Sequence, residues 1–332
     1  MDRIIFWYQI AIKELRFRTL VLMVVFESVG YFSTRPTKNI SLNFVLIALV
    51  LATQYMSATA FNDVSDFEID KLNIPKDNSR PLMTMNISKK QLTIFAYSFL
   101  ITSIILSLLI SPIYIFYALS GIFLSVFYSI KPFAISHRGI LASLWLPLSY
   151  VVLSFVGGAS INGGLNSFSI KILIALYISF IGRIILKDFR DVVGDKKFGK
   201  KTFLVRHGAK LTCLVASSAW LIGDLVLSIS LWSKFKLQVV LIQCVFVLII
   251  YSLYLLSKEP RLKNQLIIIK FIGATSNITL IGLLTVLCLS AFNHPKYVNT
   301  SIYLSMVFFF GMIAGRIALE KMEVFIASKS TR

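Results

Sequence analysis

The feature that most constrains this chain is a succession of ten apolar segments, each close to the ~20 residues a helix needs to cross a bilayer. They lie at residues 19–33, 42–61, 91–110, 112–130, 139–161, 168–186, 211–232, 237–257, 264–290 and 299–319. Each run is continuous rather than alternating, so the spans read as helices and not as strands of a membrane barrel. Hydrocarbon offers no partner to a backbone amide, and a helix satisfies its own. The expected fold is therefore all-α, a polytopic membrane bundle of about nine to ten transmembrane helices. Composition agrees. Hydrophobic residues make up 57% of the 332 and charged residues only 15%, whereas soluble domains sit near roughly 45–50% and 25%. A pair of soluble domains is excluded.

The charge is lopsided, with 34 Lys and Arg against 15 Asp and Glu. In a soluble chain that excess would point to nucleic acid. Here no folded basic domain is left over, so no nucleic-acid partner is expected. Basic loops instead orient the spans and meet anionic lipid. With the N-terminus in the cytoplasm, most of the basic residues fall on the cytoplasmic side, and loop 161–169 carries none. This places both termini and the long polar loops inside, in the plasma membrane if the source is prokaryotic. No cleavable signal peptide is expected, because the amphipathic, basic stretch 1–18 has no small-residue cleavage site. Cys213, Cys244 and Cys288 lie far apart in apolar runs and read as core residues, neither disulfides nor a zinc site.

Two cytoplasmic loops hold most of the acidic residues in the middle of the chain. The first contains Asn62, Asp63, Asp66, Glu68 and Asp70, and the second Lys187, Asp188, Arg190, Asp191 and Asp195. At an offset of 125 residues Asp63 meets Asp188, Asp66 meets Asp191 and Asp70 meets Asp195. Each set follows one span and precedes a basic stretch and another span. The chain therefore reads as a single domain, 1–332, containing two helix–acidic motif–helix units at about 42–110 and 168–232, a duplication that places a shared site at the repeat interface. If the helices run on past the spans at ~100° per residue, Asn62, Asp66 and Asp70 share one face, with Asp63 at its edge. Arg183, Lys187, Asp191 and Asp195 share the matching face, with Asp188 alongside. Carboxylates stacked turn on turn repel. Mg²⁺ offsets that repulsion and takes hard oxygen ligands, usually one or two carboxylates plus phosphate oxygens. A substrate with an anionic head at the border and an apolar tail in the membrane, such as a prenyl diphosphate, fits such a site.

These residues resemble the intramembrane prenyltransferases of the UbiA superfamily. The first family signature, NDxxDxxxD followed by a basic loop ending in RP, reads here Asn62 to Asp70 and then Lys71 to Arg80-Pro81. The second reads Lys187-Asp188 through Asp191 and Gly194-Asp195 to Gly199 and Thr202. A weaker third match is Tyr128-Ser129-Ile130-Lys131-Pro132. The resemblance covers residues 42 to about 210. It implies a helical bundle, usually of nine spans, around a central cavity with a lateral opening. It also implies that Asn62, Asp66, Asp70, Asp191 and Asp195 coordinate Mg²⁺ and diphosphate, with Asp63 and Asp188 assisting. Arg80, Lys131, Lys187 and, more loosely, Arg18 become diphosphate ligands.

The chemistry implied is Mg²⁺-dependent transfer of a prenyl group from a prenyl diphosphate to a lipophilic or aromatic acceptor in the bilayer. A quinone precursor or a glyceryl-ether lipid are the leading acceptors. Asp66, Asp70, Asp191 and Asp195 would carry the ionisation, with neutralisation of the departing diphosphate as its driving force. The allylic cation needs a dry, aromatic wall, for which Tyr55, Phe61, Tyr128 and Tyr177 are candidates, with Tyr117 and Phe127. Two alternatives remain open at this point. A membrane terpene cyclase would release pyrophosphate without an acceptor, and a cation-coupled transporter would move ions without releasing any. Glu27, Asp224 and Lys270, costly in lipid, are expected to face the bundle or water. Arg183 and Lys270 would snorkel or extend the phosphate site. His137, His207 and His294 read as solvated loop residues.

Overall fold

The computed structural model describes residues 3–35, 40–73 and 80–291, and these fold into helices without named strands. A short helix α1 (Arg3–Leu15) packs one face, including Ile10, against the ends of later spans and leaves Ile4, Tyr8 and Ile12 exposed. Arg16 breaks the chain with φ 38° before the first span, α2 (Phe17–Thr34). The second span, α3 (Leu42–Ser65), starts at the side-chain cap Ser41 and passes through Asp66 into α4 (Phe67–Asn73). After a one-turn helix α5 (Pro81–Thr84), the Ser88–Gln91 capping box opens α6 (Lys89–Ile110). Such caps satisfy amides that would otherwise be orphaned at the helix start.

Ser111 and Pro112 turn the chain into α7 (Ile115–Ser129). The fifth span is irregular. It runs as α8 (Ile140–Pro147), a π-turn at Leu148–Leu153, and α9 (Ser154–Ile161). Pro147 lacks an amide hydrogen and interrupts the ladder, and π-turns tend to fall at functional sites. Asn166 caps α10 (Ser167–Ile184), which continues through a 3₁₀ turn into α11 (Asp188–Lys197). Thr202 caps α12 (Phe203–Trp232), followed by α13 (Lys236–Lys258) and α14 (Leu262–Ala291).

Nine of these stretches are long and apolar enough to cross a membrane among the described residues. The tenth expected span, 299–319, lies outside them. Outward faces are apolar, with Ile101, Leu109, Phe116, Ile229 and Val247 all exposed, as expected where lipid rather than water surrounds the bundle. The largest core cluster joins α2, α9, α10, α12 and α14 through Phe26, Val29, Phe155, Ile172, Leu227 and Leu283. α2 and α9 meet backbone to backbone. A Cβ on Gly158 would lie 2.0 Å from the Glu27 carbonyl oxygen, so only a small residue permits that approach. α3 packs most extensively on α6, and α10 on α12. Each acidic segment thus follows a span whose main partner is a later neighbour.

The polar residues inside spans divide. Glu27 is fully buried, and Asp224 is buried with Gln243 donating to it at 2.9 Å. Lys270, expected to face the bundle or water, is exposed. The three cysteines are free, with Cys213 buried, Cys288 half-buried and Cys244 exposed rather than in the core.

Candidate functional site

The long helix formed by α3 and α4 and the one formed by α10 and α11 bring their acidic segments to opposite walls of one chamber of about 700 Å³. That volume lies in the range of small-molecule sites, ~300–1,000 Å³. The i, i+4 register survives the bend at Asp66, because the Asp66 amide donates to the Asn62 carbonyl and the Asp70 amide to the Asp66 carbonyl, each at 2.8 Å. Asn62, Asp66 and Asp70 therefore line one wall, and Asp188, Asp191 and Asp195 the other. Arg18, Arg80 and Lys187 also line the chamber, as do Tyr55 and Tyr128. The π-turn adds Ser149, Tyr150 and Leu153.

Four expected members lie elsewhere. Asp63, one residue round the helix from Asn62, turns away from the chamber. It is 2% exposed and accepts from both Arg16 and Arg80. Its repeat counterpart Asp188 does face the chamber, so the two halves are not equivalent. Phe61 packs toward α6, its ring 5.2 Å from that of Tyr97. Lys131 follows the end of α7, where the chain turns outward, and is exposed. Tyr177 faces α8, donating to the Leu144 carbonyl at 3.1 Å. Tyr117 and Phe127 also fall outside the lining, and Arg183 donates to Ser276 at 3.1 Å on α14 instead of extending the phosphate site.

Other residues take the vacated roles. Lys200 donates to Asp66 at 2.9 Å and approaches Asp195 to 4.0 Å, spanning the two walls. His137 Nε2 lies 3.5 Å from Asp66, against the expectation of a solvated loop residue, whereas His207 is exposed, its ring tilted against that of Phe203. A backbone bridge between Arg138 and Lys201 ties together the two loops that carry His137 and Lys200. Arg16, Asn73 and Arg190 line the chamber as well. The sequence held a signal for Lys200, which sits inside the second signature, but not for choosing it over the exposed Lys201.

Burial works against the Asp66 carboxylate, but His137 and Lys200 more than offset it and hold it below the usual carboxylate range. Burial, then the charges of Asp66 and Asp191, push Asp70 up to about 7. Burial, then Arg16 and Arg190, pull Arg80 down to about 9, so it stays charged at neutral pH. Glu14, buried beside the site on α1, is pushed up to about 7 by burial against the opposing pull of Arg16. The chamber is thus a dense field of opposed charges, with six cationic side chains and five carboxylates in its walls.

The UbiA prenyltransferase family matches residues 21–278 of this chain. The chain belongs to that family. It is a prenyltransferase of the multi-pass membrane type, as the spans and the two acidic motifs require. Family likeness is spread over several enzymes. The digeranylgeranylglyceryl phosphate synthase of Sulfurisphaera tokodaii is 30% identical over 62% of this chain and 70% of its own. That of Methanocaldococcus jannaschii is 24% identical over 82% and 93%. The chloroplastic chlorophyll synthase of Oryza sativa is 30% identical over 47% and 43%. Among solved structures, a UbiA homolog from Archaeoglobus fulgidus bound to GPP and Mg²⁺ superposes with a TM-score of 0.61 at 19% identity, covering 84% of this chain and 99% of that one.

Proposed function

We propose that this UbiA-family protein transfers a prenyl group from a prenyl diphosphate to the hydroxyl of a glyceryl phosphate lipid, with Mg²⁺ as cofactor. The observation that carries this reading is the pair of acidic walls facing each other across one chamber whose deeper lining is apolar and aromatic.

The walls suit Mg²⁺. Asp66 Oδ1, Asp70 Oδ2 and Asp195 Oδ1 are buried carboxylate oxygens held only by ion pairs, with His137 at 3.5 Å, Arg80 at 3.2 Å and Lys200 at 4.0 Å, rather than by well-formed hydrogen bonds. Among the described residues no three acidic, His or Cys side chains gather closely enough to cage an ion by themselves. An ion held here would complete its shell with water and substrate phosphate, as Mg²⁺ commonly does. Asn62, Asp66 and Asp70 would hold it from one wall, and Asp188, Asp191 and Asp195 from the other. When bound, Mg²⁺ neutralises the diphosphate and makes it a better leaving group.

The chain's own residues do the rest. Arg80, Lys187, Lys200 and Arg18 bind the remaining phosphate oxygens. Lys187 donates to the Tyr128 hydroxyl at 2.5 Å and so fixes that ring in the chamber wall. Tyr55, Tyr128 and Tyr150 offer π-faces to the cation, and Met23, Leu124, Leu146 and Leu153 exclude water. The acceptor oxygen then forms the new C–O bond as the allylic C–O bond to diphosphate breaks, and its proton passes to the departing diphosphate.

Two observations support a phosphate-bearing acceptor over a neutral aromatic one. Similarity to the two synthases extends over most of the chain, whereas similarity to chlorophyll synthase covers under half of it. Two Mg²⁺ and one trianionic diphosphate would also leave the six cations and five carboxylates of the lining with a positive surplus, even with Asp63 counted behind them.

Purified protein in liposomes should convert geranylgeranyl diphosphate and a prenylated glyceryl phosphate to a new ether and pyrophosphate, both read by mass spectrometry. EDTA should abolish the reaction and Mg²⁺ restore it. Full turnover in EDTA would end the metal reading. Pyrophosphate release without acceptor would show a cyclase, and prenylation of a quinone precursor in place of the lipid would overturn the acceptor. The basic residues around the chamber mouth also support a cytoplasmic site and N-terminus. On a cysteine-free background, Lys197→Cys should react with an impermeant maleimide only from the cytoplasmic face, and Leu165→Cys only from the opposite face. Labelling of both from one face would reverse this topology.

A further inference from the structure

The two acidic walls must stay close although they repel. Asp191 is among the charges that push Asp70 upward, so electrostatics alone would part α4 from α11. Lys200 bridges Asp66 and Asp195, but a bound diphosphate would compete for that ammonium. A different contact is indifferent to charge. The Gly194 amide on α11 donates to Asn73 Oδ1 on α4 at 2.6 Å, joining residues 121 apart in the chain.

Three details make this more than ordinary helix packing. Asn73 lies three residues beyond Asp70 and Gly194 one before Asp195, so the contact sits at the ends of both motifs. Gly194 is buried, and a Cβ there would lie 2.5 Å from Asn73 Oδ1 and 2.7 Å from its Cγ and Nδ2. That is too close for a real Cβ, so a methyl at 194 would displace the Asn73 amide and break the bond that ties α4 to α11. Asn73 also lines the chamber, and its Nδ2 is buried without a hydrogen-bond partner. A neutral amide can hold the walls without adding to or subtracting from their charge.

We propose that Asn73 is a positioning residue that fixes the spacing between the two acidic walls, with Gly194 as its obligatory partner. The assignment rests on the diphosphate clamp for its catalytic consequence, but not for its geometry. Removing the amide lets the walls part. Adding a methyl at 194 dislodges the Asn73 amide and breaks the same bond from the other side. Displacements of about 1 Å in a reacting site cost on the order of 100-fold in rate.

The test has one arm that needs no activity. Spin labels at the exposed positions Lys71 and Lys197, on a cysteine-free background, report the α4–α11 distance by pulsed electron resonance. Asn73→Ala should broaden and lengthen a narrow wild-type distribution. Asn73→Asp, which keeps an oxygen to accept from the Gly194 amide but adds a negative charge to the walls, should broaden it less than Asn73→Ala does. An unchanged distribution in Asn73→Ala overturns the proposal, whatever the substrate proves to be.

The second arm is a double-mutant cycle on prenyl transfer. Gly194→Ala alone and Asn73→Ala alone break the same bond, so each should lose on the order of 10- to 100-fold in kcat/KM, with a raised Mg²⁺ requirement. In the Asn73→Ala background the new methyl has room, so adding Gly194→Ala should cost less than about 3-fold more. Losses that multiply would overturn the pairing. A wild-type protein without Mg²⁺-dependent transfer would instead sink the proposed function, while the distance arm still decides the role of Asn73.

Discussion

Asp70→Ala and Asp191→Ala should each lower prenyl-transfer turnover by orders of magnitude, and the double variant should be little slower than either. These carboxylates stand on opposite walls of the same chamber and feel each other's charge. If both serve one diphosphate, the loss of either disables the whole clamp, and residues that act as a unit are strongly non-additive. The fold should survive. Burial and the neighbouring charges of Asp66 and Asp191 already oppose the charged form of Asp70, so deleting one of the pair relieves repulsion in the metal-free protein. Asp66 is a poorer choice for this experiment, because Lys200 donates to it at 2.9 Å and would lose its nearest counter-charge. Single-turnover rates and size-exclusion profiles of the three variants decide the matter. Multiplying losses, or near-normal turnover in one folded single variant, would mean that the two walls serve different ligands.

The parts of this site that were legible in the sequence are those governed by helical periodicity. An apolar run predicts a span, and a helix continuing past it carries Asn62, Asp66 and Asp70 to one face. The same logic placed Asp188, Asp191 and Asp195 on the opposite wall. Periodicity fails where the chain leaves the helix or where the neighbour of a face is unknown. Asp63 and Phe61 sit on the same helix as Asn62, but which way each turns depends on α6 and on Arg16 and Arg80. Lys131 shares a motif with Tyr128, yet it lies three positions further on, across the end of α7. His137 and Lys200 reach Asp66 from loops that a backbone bridge holds together, and no local pattern announces that contact. Gly194 was visible within the second signature, but the need for glycine there appears only when Asn73 is seen across the gap.

Asp63→Ala should behave unlike every carboxylate in the chamber, by costing the fold first. Asp63 is buried and serves two guanidinium groups, Arg16 and Arg80. Arg80 would retain only Asp70 at 3.2 Å, a group itself pushed toward its neutral form. Arg16 occupies left-handed backbone, φ 38°, at the joint between α1 and α2, a conformation that costs a non-glycine residue roughly 1–2 kcal/mol. The ion pair with Asp63 holds that joint in place. Breaking a buried pair by removing one partner typically costs about 3–5 kcal/mol, because the surviving charge stays buried without compensation. The expected result is a clear drop in the unfolding midpoint in detergent and loss of monodisperse protein. Asp63→Asn should share the defect, since it keeps the shape but not the charge. Asp70→Ala and Asp191→Ala, by the argument above, should unfold near the wild-type midpoint. If Asp63→Ala unfolds with them, and loses only Mg²⁺-dependent turnover, then Asp63 serves the metal after all and the Arg16–Asp63–Arg80 cluster is not what anchors α1 to the site.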